Sequence, residues 1–174
     1  MPGSPAHLFA RLLDVATARE LTPGEEQQVR EWFQPPISEL FFAQPPADQR
    51  HGYEAATSLE PEGAAADLIV AALVHDIGKR HSRLGVVGRS LASVAIKLRL
   101  PLSERMRAYR DHGIIGAHEL AMAGAPSLAV DFALHHHGAR PESISEPVWD
   151  LLNRADEPPK PTETVRGWIM SRNR

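Results

Sequence analysis

Apolar residues along this chain recur at spacings of three and four, with alanine and leucine dominant, which is the period of helices that bury one face. No run alternates β-branched and polar residues in the manner of a half-buried strand. The pattern predicts helices over residues 5–20, from Thr22 onward, and over 37–42, 47–60, 64–76, 86–98, 103–123, 127–135, 146–154 and 163–170. Thr22, Pro23 and Glu25 have the arrangement of a capping box with proline at the first helical position. Residues 64–76 are the most apolar stretch and are expected to form the central buried helix. Prolines fall between these segments, at Pro35-Pro36, Pro45-Pro46, Pro61, Pro101, Pro126, Pro141, Pro147 and Pro158-Pro159, as starts or stops rather than as a low-complexity tract. The expected fold class is all-α: one domain of about eight to ten helices, with residues 1–45 as a helical extension packed on a core formed by 46–174.

Length and composition narrow the classes. A chain of 174 residues buries roughly two-thirds of its unfolded surface, so it folds without a disulfide or a metal to hold it. It has no cysteine, which excludes disulfides, thiolate zinc sites and thiol nucleophiles together. The first twenty residues lack a basic start followed by an apolar core, so no leader is expected. The longest apolar run, 68–74, is far too short to span a bilayer. A cytoplasmic protein with no membrane partner is the expectation. Net charge is −3 and no basic block stands out, so a nucleic-acid polymer is not expected as a partner. A small polyanion is compatible, because a pocket can be basic on a slightly acidic protein. Nine histidines are the unusual count.

The chemistry concentrates around His75-Asp76, at the end of the most apolar helix. Such a pair is costly to bury unless each group has a partner, and a shared metal ion satisfies both. Adjacent helical side chains diverge by about 100°, so the pair can clasp one ion only near a helix end. Gly78 is read as supplying that end through a left-handed backbone. The alternative for an isolated His-Asp is a hydrogen-bonded pair with Asp76 capping the next segment. Here it is not isolated. His51 lies one helix earlier, Asp111-His112-Gly113 falls inside the predicted 103–123 helix, His135-His136-His137-Gly138 ends the next, and Ala155-Asp156 ends the one after. Imidazole and carboxylate groups without sulfur suit iron, manganese, zinc, cobalt or nickel.

These residues resemble the H…HD…D signature of HD-domain metal-dependent phosphohydrolases: His51, then His75-Asp76 within Ala72-Leu73-Val74-His75-Asp76-Ile77-Gly78-Lys79, then Asp156. His112 and the histidine run resemble the two further ligands of the binuclear subgroup. The resemblance covers roughly residues 48–157. It implies a first divalent transition-metal ion held by His51, His75, Asp76 and Asp156. It implies a second, bridged by Asp76 and held by His112 with one or two of His135, His136 and His137. The departure is the run of three, where the family usually shows one or a pair. Helical phase does not choose among the three, and His136 ranks first because it belongs to either pair.

The implied activity is hydrolysis of a phosphoester or phosphoanhydride in a small metabolite, a nucleotide being the first candidate, by a metal-bound water with Asp76 and Lys79 as catalytic groups. Lys79, Arg50 and Arg154 are candidate phosphate contacts, the alternative being a solvated loop lysine for the first and surface ion pairs for the arginines. Two other readings share the ligand set: an HD-type di-iron oxygenase and a non-catalytic HD binding module. His7, His81 and His118 are expected to be surface or packing residues. Trp32, Phe33, Phe41 and Phe42 are expected to be core, with any exposed part a candidate homodimer face.

Overall fold

A computed structural model describes residues 19–157. The expected helix at 163–170, and all but the last two residues of that at 5–20, lie outside the described residues. Within them every regular element is helical: α1 (Pro23–Trp32), α2 (Ile37–Phe42), α3 (Pro46–Ser58), α4 (Ala66–Val74), α5 (Val86–Lys97), α6 (Glu104–Arg110), α7 (His112–Met122), α8 (Ser127–His135) and α9 (Glu146–Asp156). Short 3₁₀ turns at Glu60–Glu62 and Ile77–Ser82 follow α3 and α4.

The capping box of α1 forms as the sequence predicts. The Glu25 amide donates to Thr22 Oγ1 at 3.3 Å, and the Thr22 amide donates to Glu25 Oε2 at 2.7 Å. α4 is the centre. Val70 through Val74 are all buried, and α4 packs against α3, α8 and α9. Leu59, Ile77, Leu120, Phe132, Ile144 and Leu152 fill the same core, joined by Leu21, Val29, Phe33 and Phe41 from in and around the first two helices. Trp32 and Phe42 pack against it while partly exposed.

Two expectations need correction. Residues 103–123 are not one helix. The chain leaves helical geometry at Asp111 (φ −94°, ψ 10°), which ends α6 and precedes α7. The apolar spacing runs on across this point, so the period carried no sign of the break. Its consequence is that His112 opens a helix instead of lying within one. The second correction concerns Gly78, which does not have positive φ. A Cβ there would lie 2.0 Å from the His112 carbonyl oxygen and 2.8 Å from the Gly116 nitrogen. Gly78 is required by close approach between the 3₁₀ turn and α7, not by a left-handed helix end. Gly52 and Gly113 do the same elsewhere: a Cβ would meet the Leu73 carbonyl oxygen at 2.4 Å and that of Ala133 at 2.7 Å.

Candidate metal centre

Three histidines are held in the same way. His75 caps the end of α4, His112 opens α7 and His136 caps the end of α8. Each Nδ1 lies on the carbonyl three residues earlier: Ala72 at 2.8 Å, Tyr109 at 2.6 Å and Ala133 at 2.9 Å. A carbonyl only accepts, so each Nδ1 carries a hydrogen. In the neutral ring the lone pair then sits on Nε2. All three Nε2 atoms turn toward Asp76.

The carboxylate of Asp76 divides its oxygens between two groups. Oδ1 lies 3.2 Å from His112 Nε2 and 3.3 Å from His136 Nε2, and those two nitrogens are 3.4 Å apart. Oδ2 lies 3.4 Å from His75 Nε2 and 4.0 Å from His51 Nε2. Asp156 Oδ1 completes the second group, 3.0 Å from His75 Nε2 and 2.9 Å from His51 Nε2. Potential ligand atoms of Asp76, His112, His136 and His137 all lie within 4.8 Å of one another, as do those of His51, His75, Asp76 and Asp156. The two sets share only Asp76.

The donor set fits cations. Asp76 Oδ1 is buried without a hydrogen-bond partner despite two imidazole nitrogens nearby, which is costly for a carboxylate oxygen. His75 is fully buried with its Nε2 facing two carboxylates. Burial alone would lower its pKa, but Asp76 and Asp156 outweigh burial and raise it to about 10. In the absence of a metal, a proton on Nε2 is thus the cation these carboxylates demand. A divalent ion satisfies the same demand and leaves the Nδ1 hydrogen bonds intact. Burial likewise raises the carboxyl of Asp76, yet Lys79 and His75 hold it well below the usual range, and Asp156 is lowered against burial chiefly by His75. His136 shifts downward through burial, so its neutral, ligating form is favoured.

The histidine run resolves at the end of α8. His136 is buried and belongs to the second group. His137 is exposed on one side, but its ring lies 3.9 Å from that of His136 and 5.0 Å from that of His112, and it supplies the fourth potential ligand. His135 is the last residue of α8 and is not brought into either group.

The cations next to these ligands separate. Lys79 is buried, and its ammonium lies against Asp76 Oδ2. Arg50 instead makes a two-pronged ion pair with Glu25, at 2.8 and 2.7 Å, and donates to the carbonyls of Arg19 and Glu20. Arg154 is exposed, with Glu62 at 4.0 Å. The structure therefore brings Lys79 to the ligands and turns both arginines toward ion pairs. Of the histidines set aside, His81 pairs with Glu119 at 2.8 Å and His118 is exposed, while His7 lies outside the described residues.

Sequence reasoning missed three supports. Tyr109 accepts from His112 and stacks on it, with centroids 5.7 Å apart. Arg80 bridges the Ile77 carbonyl and Glu119 Oε1, each at 2.7 Å, tying the turn after Asp76 to α7. Arg89 clasps the buried carboxylate of Asp48 at 2.5 and 2.6 Å, fixing α5 to the start of α3. The first and part of the second act through backbone carbonyls, which every residue has, so no residue-type pattern announces them.

No family model matches the chain, and neither does any curated protein or solved structure. What stands is an all-helical unit, among the described residues, with His/Asp clusters able to hold metal ions.

Proposed function

We propose that this protein is a metal-dependent phosphohydrolase of HD type, acting on a small phosphorylated metabolite, with a nucleotide as the first candidate. The observation that carries the reading is the division of Asp76 between two sets of imidazole nitrogens, together with the sequence resemblance to H…HD…D enzymes. His51, His75, Asp76 and Asp156 would hold one ion, and Asp76, His112, His136 and His137 a second. Two such ions, when bound, bring the pKa of a water toward neutrality and polarise phosphoryl oxygens.

The chain's own residues supply the rest. The Nδ1 hydrogen bonds of His75, His112 and His136 fix their tautomers and aim their lone pairs. Lys79 places a positive charge beside the shared carboxylate, where an anionic phosphoryl group needs one. The Lys79 ammonium lies against Asp76 Oδ2, the oxygen that faces His75 and His51, so it would stand beside the ions and within reach of a substrate anion held there. That buried cation favours an anionic substrate; phosphate release against oxygen uptake is what separates hydrolysis from the di-iron oxygenase reading.

The test is a screen of nucleotides and sugar phosphates with manganese, iron, cobalt and nickel, following phosphate release and oxygen uptake together. Metal-dependent phosphate release that disappears in Asp76→Ala is expected. Oxygen uptake with a mixed-valent iron signal, and no phosphate release from any substrate, would overturn the reading in favour of the oxygenase.

A further inference from the structure

The face of α5 that points away from the core is apolar. Val87, Leu91, Val94 and Leu98 recur at spacings of four, three and four, so they form one stripe along the helix, and Leu100 follows it. They are 68, 58, 45, 62 and 51 % exposed, while Ala92 and Ala95, to one side of the stripe, are buried. The five side chains are neighbours along one helix rather than apolar residues scattered singly over the surface, and it is contiguous apolar surface that calls for an explanation.

The charge around it is one-sided. Residues 77–110 carry nine lysines and arginines against the single acid Glu104, although the whole chain has a net charge of −3. Four of the nine are engaged by carboxylates: Lys79 by Asp76, Arg80 by Glu119, Arg89 by Asp48 and Arg110 by Asp111. Arg83, Lys97, Arg99, Arg105 and Arg107 make no ion pair with a carboxylate among the described residues, Arg107 acting on Asp111 only at longer range, and all five are exposed. Their backbone contacts sort them to the two ends of the stripe. Arg105 donates to the Ser82 carbonyl, beside Arg83 and ahead of α5, and Arg107 donates to the Leu102 carbonyl, just past Lys97, Arg99 and Leu100. Two basic clusters thus bracket an apolar ridge about 18 Å long.

We propose that this ridge docks the protein onto an anionic bilayer surface, with the five apolar side chains entering the headgroup boundary and the two basic clusters on acidic headgroups. A second copy of the chain fits poorly, because pairing two such faces brings like charges together. The stripe also covers fewer than two heptads, short for a coiled-coil seam with a lone partner helix. Nucleic acid would engage the cations and leave the apolar ridge in water. That no helix among the described residues is long and apolar enough to cross a bilayer, like the short apolar run on which no membrane partner was expected, does not bear on docking of this kind, which needs only a surface ridge and basic residues near it.

The experiment is co-sedimentation of the full chain with phosphatidylcholine vesicles, with and without phosphatidylserine, run beside light scattering of the protein alone. Binding to the acidic vesicles, weakened by high salt, is expected. A basic residue near a membrane surface is worth roughly fivefold in partition, so Lys97→Ala with Arg99→Ala should weaken binding by about 25-fold. Leu91→Glu, at an exposed position, should reduce binding at least as strongly while helix content and metal content stay unchanged. No preference for acidic vesicles, or binding indifferent to both changes, would overturn the proposal. So would a dimer that Leu91→Glu dissociates, which would assign the ridge to a second copy. Retained metal content in these variants keeps the outcome separate from the fate of the hydrolase reading.

Discussion

Replacing Asp76 by alanine should have two separable effects, one on the fold and one on metal linkage. In the metal-free protein its carboxylate is the counter-charge for Lys79, which is buried, and shares His75 with Asp156. Removing one partner of a buried ion pair typically costs about 3–5 kcal/mol. Because Asp156 still neutralises His75, the loss in chelator is expected at the lower end, about 3 kcal/mol. The second effect is specific to the metal reading. A ligand at a hundredfold excess over its dissociation constant stabilises the native state by about 2.7 kcal/mol. For a chain of this length that raises Tm by about 5–11 °C. The wild type should show this rise between chelator and excess manganese, whereas Asp76→Ala should show none, having lost the only group shared by both ligand sets. Urea unfolding with and without metal, beside elemental analysis, measures both effects. Gently purified wild type should carry about two first-row ions per chain and the variant none. A variant that keeps stoichiometric metal, or the full metal-dependent rise in Tm, would refute the shared-ligand reasoning even if it were less stable.

Four further outcomes are expected. His112→Ala should lose one ion and most turnover while remaining folded, whereas both ions and full turnover would make His112 structural. Metal content measured across the histidine run should fall in His136→Ala and hold in His135→Ala; the reverse would displace the ligand by one position. Gly78→Ala forces a Cβ to within 2.0 Å of the His112 carbonyl oxygen, so it should destabilise by about 3 kcal/mol and lower metal occupancy, and a neutral urea midpoint would show that the backbone yields cheaply. Glu25, held down to about 2 first by its hydrogen bond with Arg50 and then by the Thr22 amide, contributes stability that is present above its ordinary value of 4.5 and lost as pH falls toward 2. Screened at the surface, that contribution is about 1 kcal/mol, so the stability gap between wild type and Glu25→Gln should shrink by that amount from pH 5 to pH 2; a gap independent of pH would contradict the ion-pair account.

What the sequence revealed and what it hid have separate physical causes. Helices were legible because spacing reports burial, and the His/Asp clusters because histidine and aspartate at the ends of apolar segments are expensive without a partner. The choice within the histidine run was not legible. His136 keeps helical geometry as the cap of α8 (φ −57°, ψ −18°), with its amide donating to the Phe132 carbonyl, but apolar pairs within the helix pointed to each of the three histidines alike, so the period alone did not choose. The break at Asp111 was hidden for a different reason: α6 has no fully buried residue, and the apolar spacing runs on in phase across the break into α7. Gly78 was recognised as necessary, but for the wrong reason, since a glycine in sequence does not say whether its φ or its lack of a Cβ is being used.

That last distinction explains why this site is built where it is. His51 is followed by Gly52, Asp76 stands two residues before Gly78, and His112 is followed by Gly113. Each of those glycines faces a backbone atom of another element: Leu73 in α4, His112 in α7 and Ala133 in α8. Ala133 is also the carbonyl that orients His136. The spacing of the ligands is therefore set largely by main chain meeting main chain, which leaves less freedom than contacts between flexible side chains. Two consequences follow for the chemistry. The candidate ligands are already gathered within 4.8 Å of one another in each set, so little ordering entropy would oppose metal binding. And substitution at a glycine that touches no ion should disturb the centre much as loss of a ligand does, because the same backbone contact fixes both the packing and the distance between Asp76 and His112.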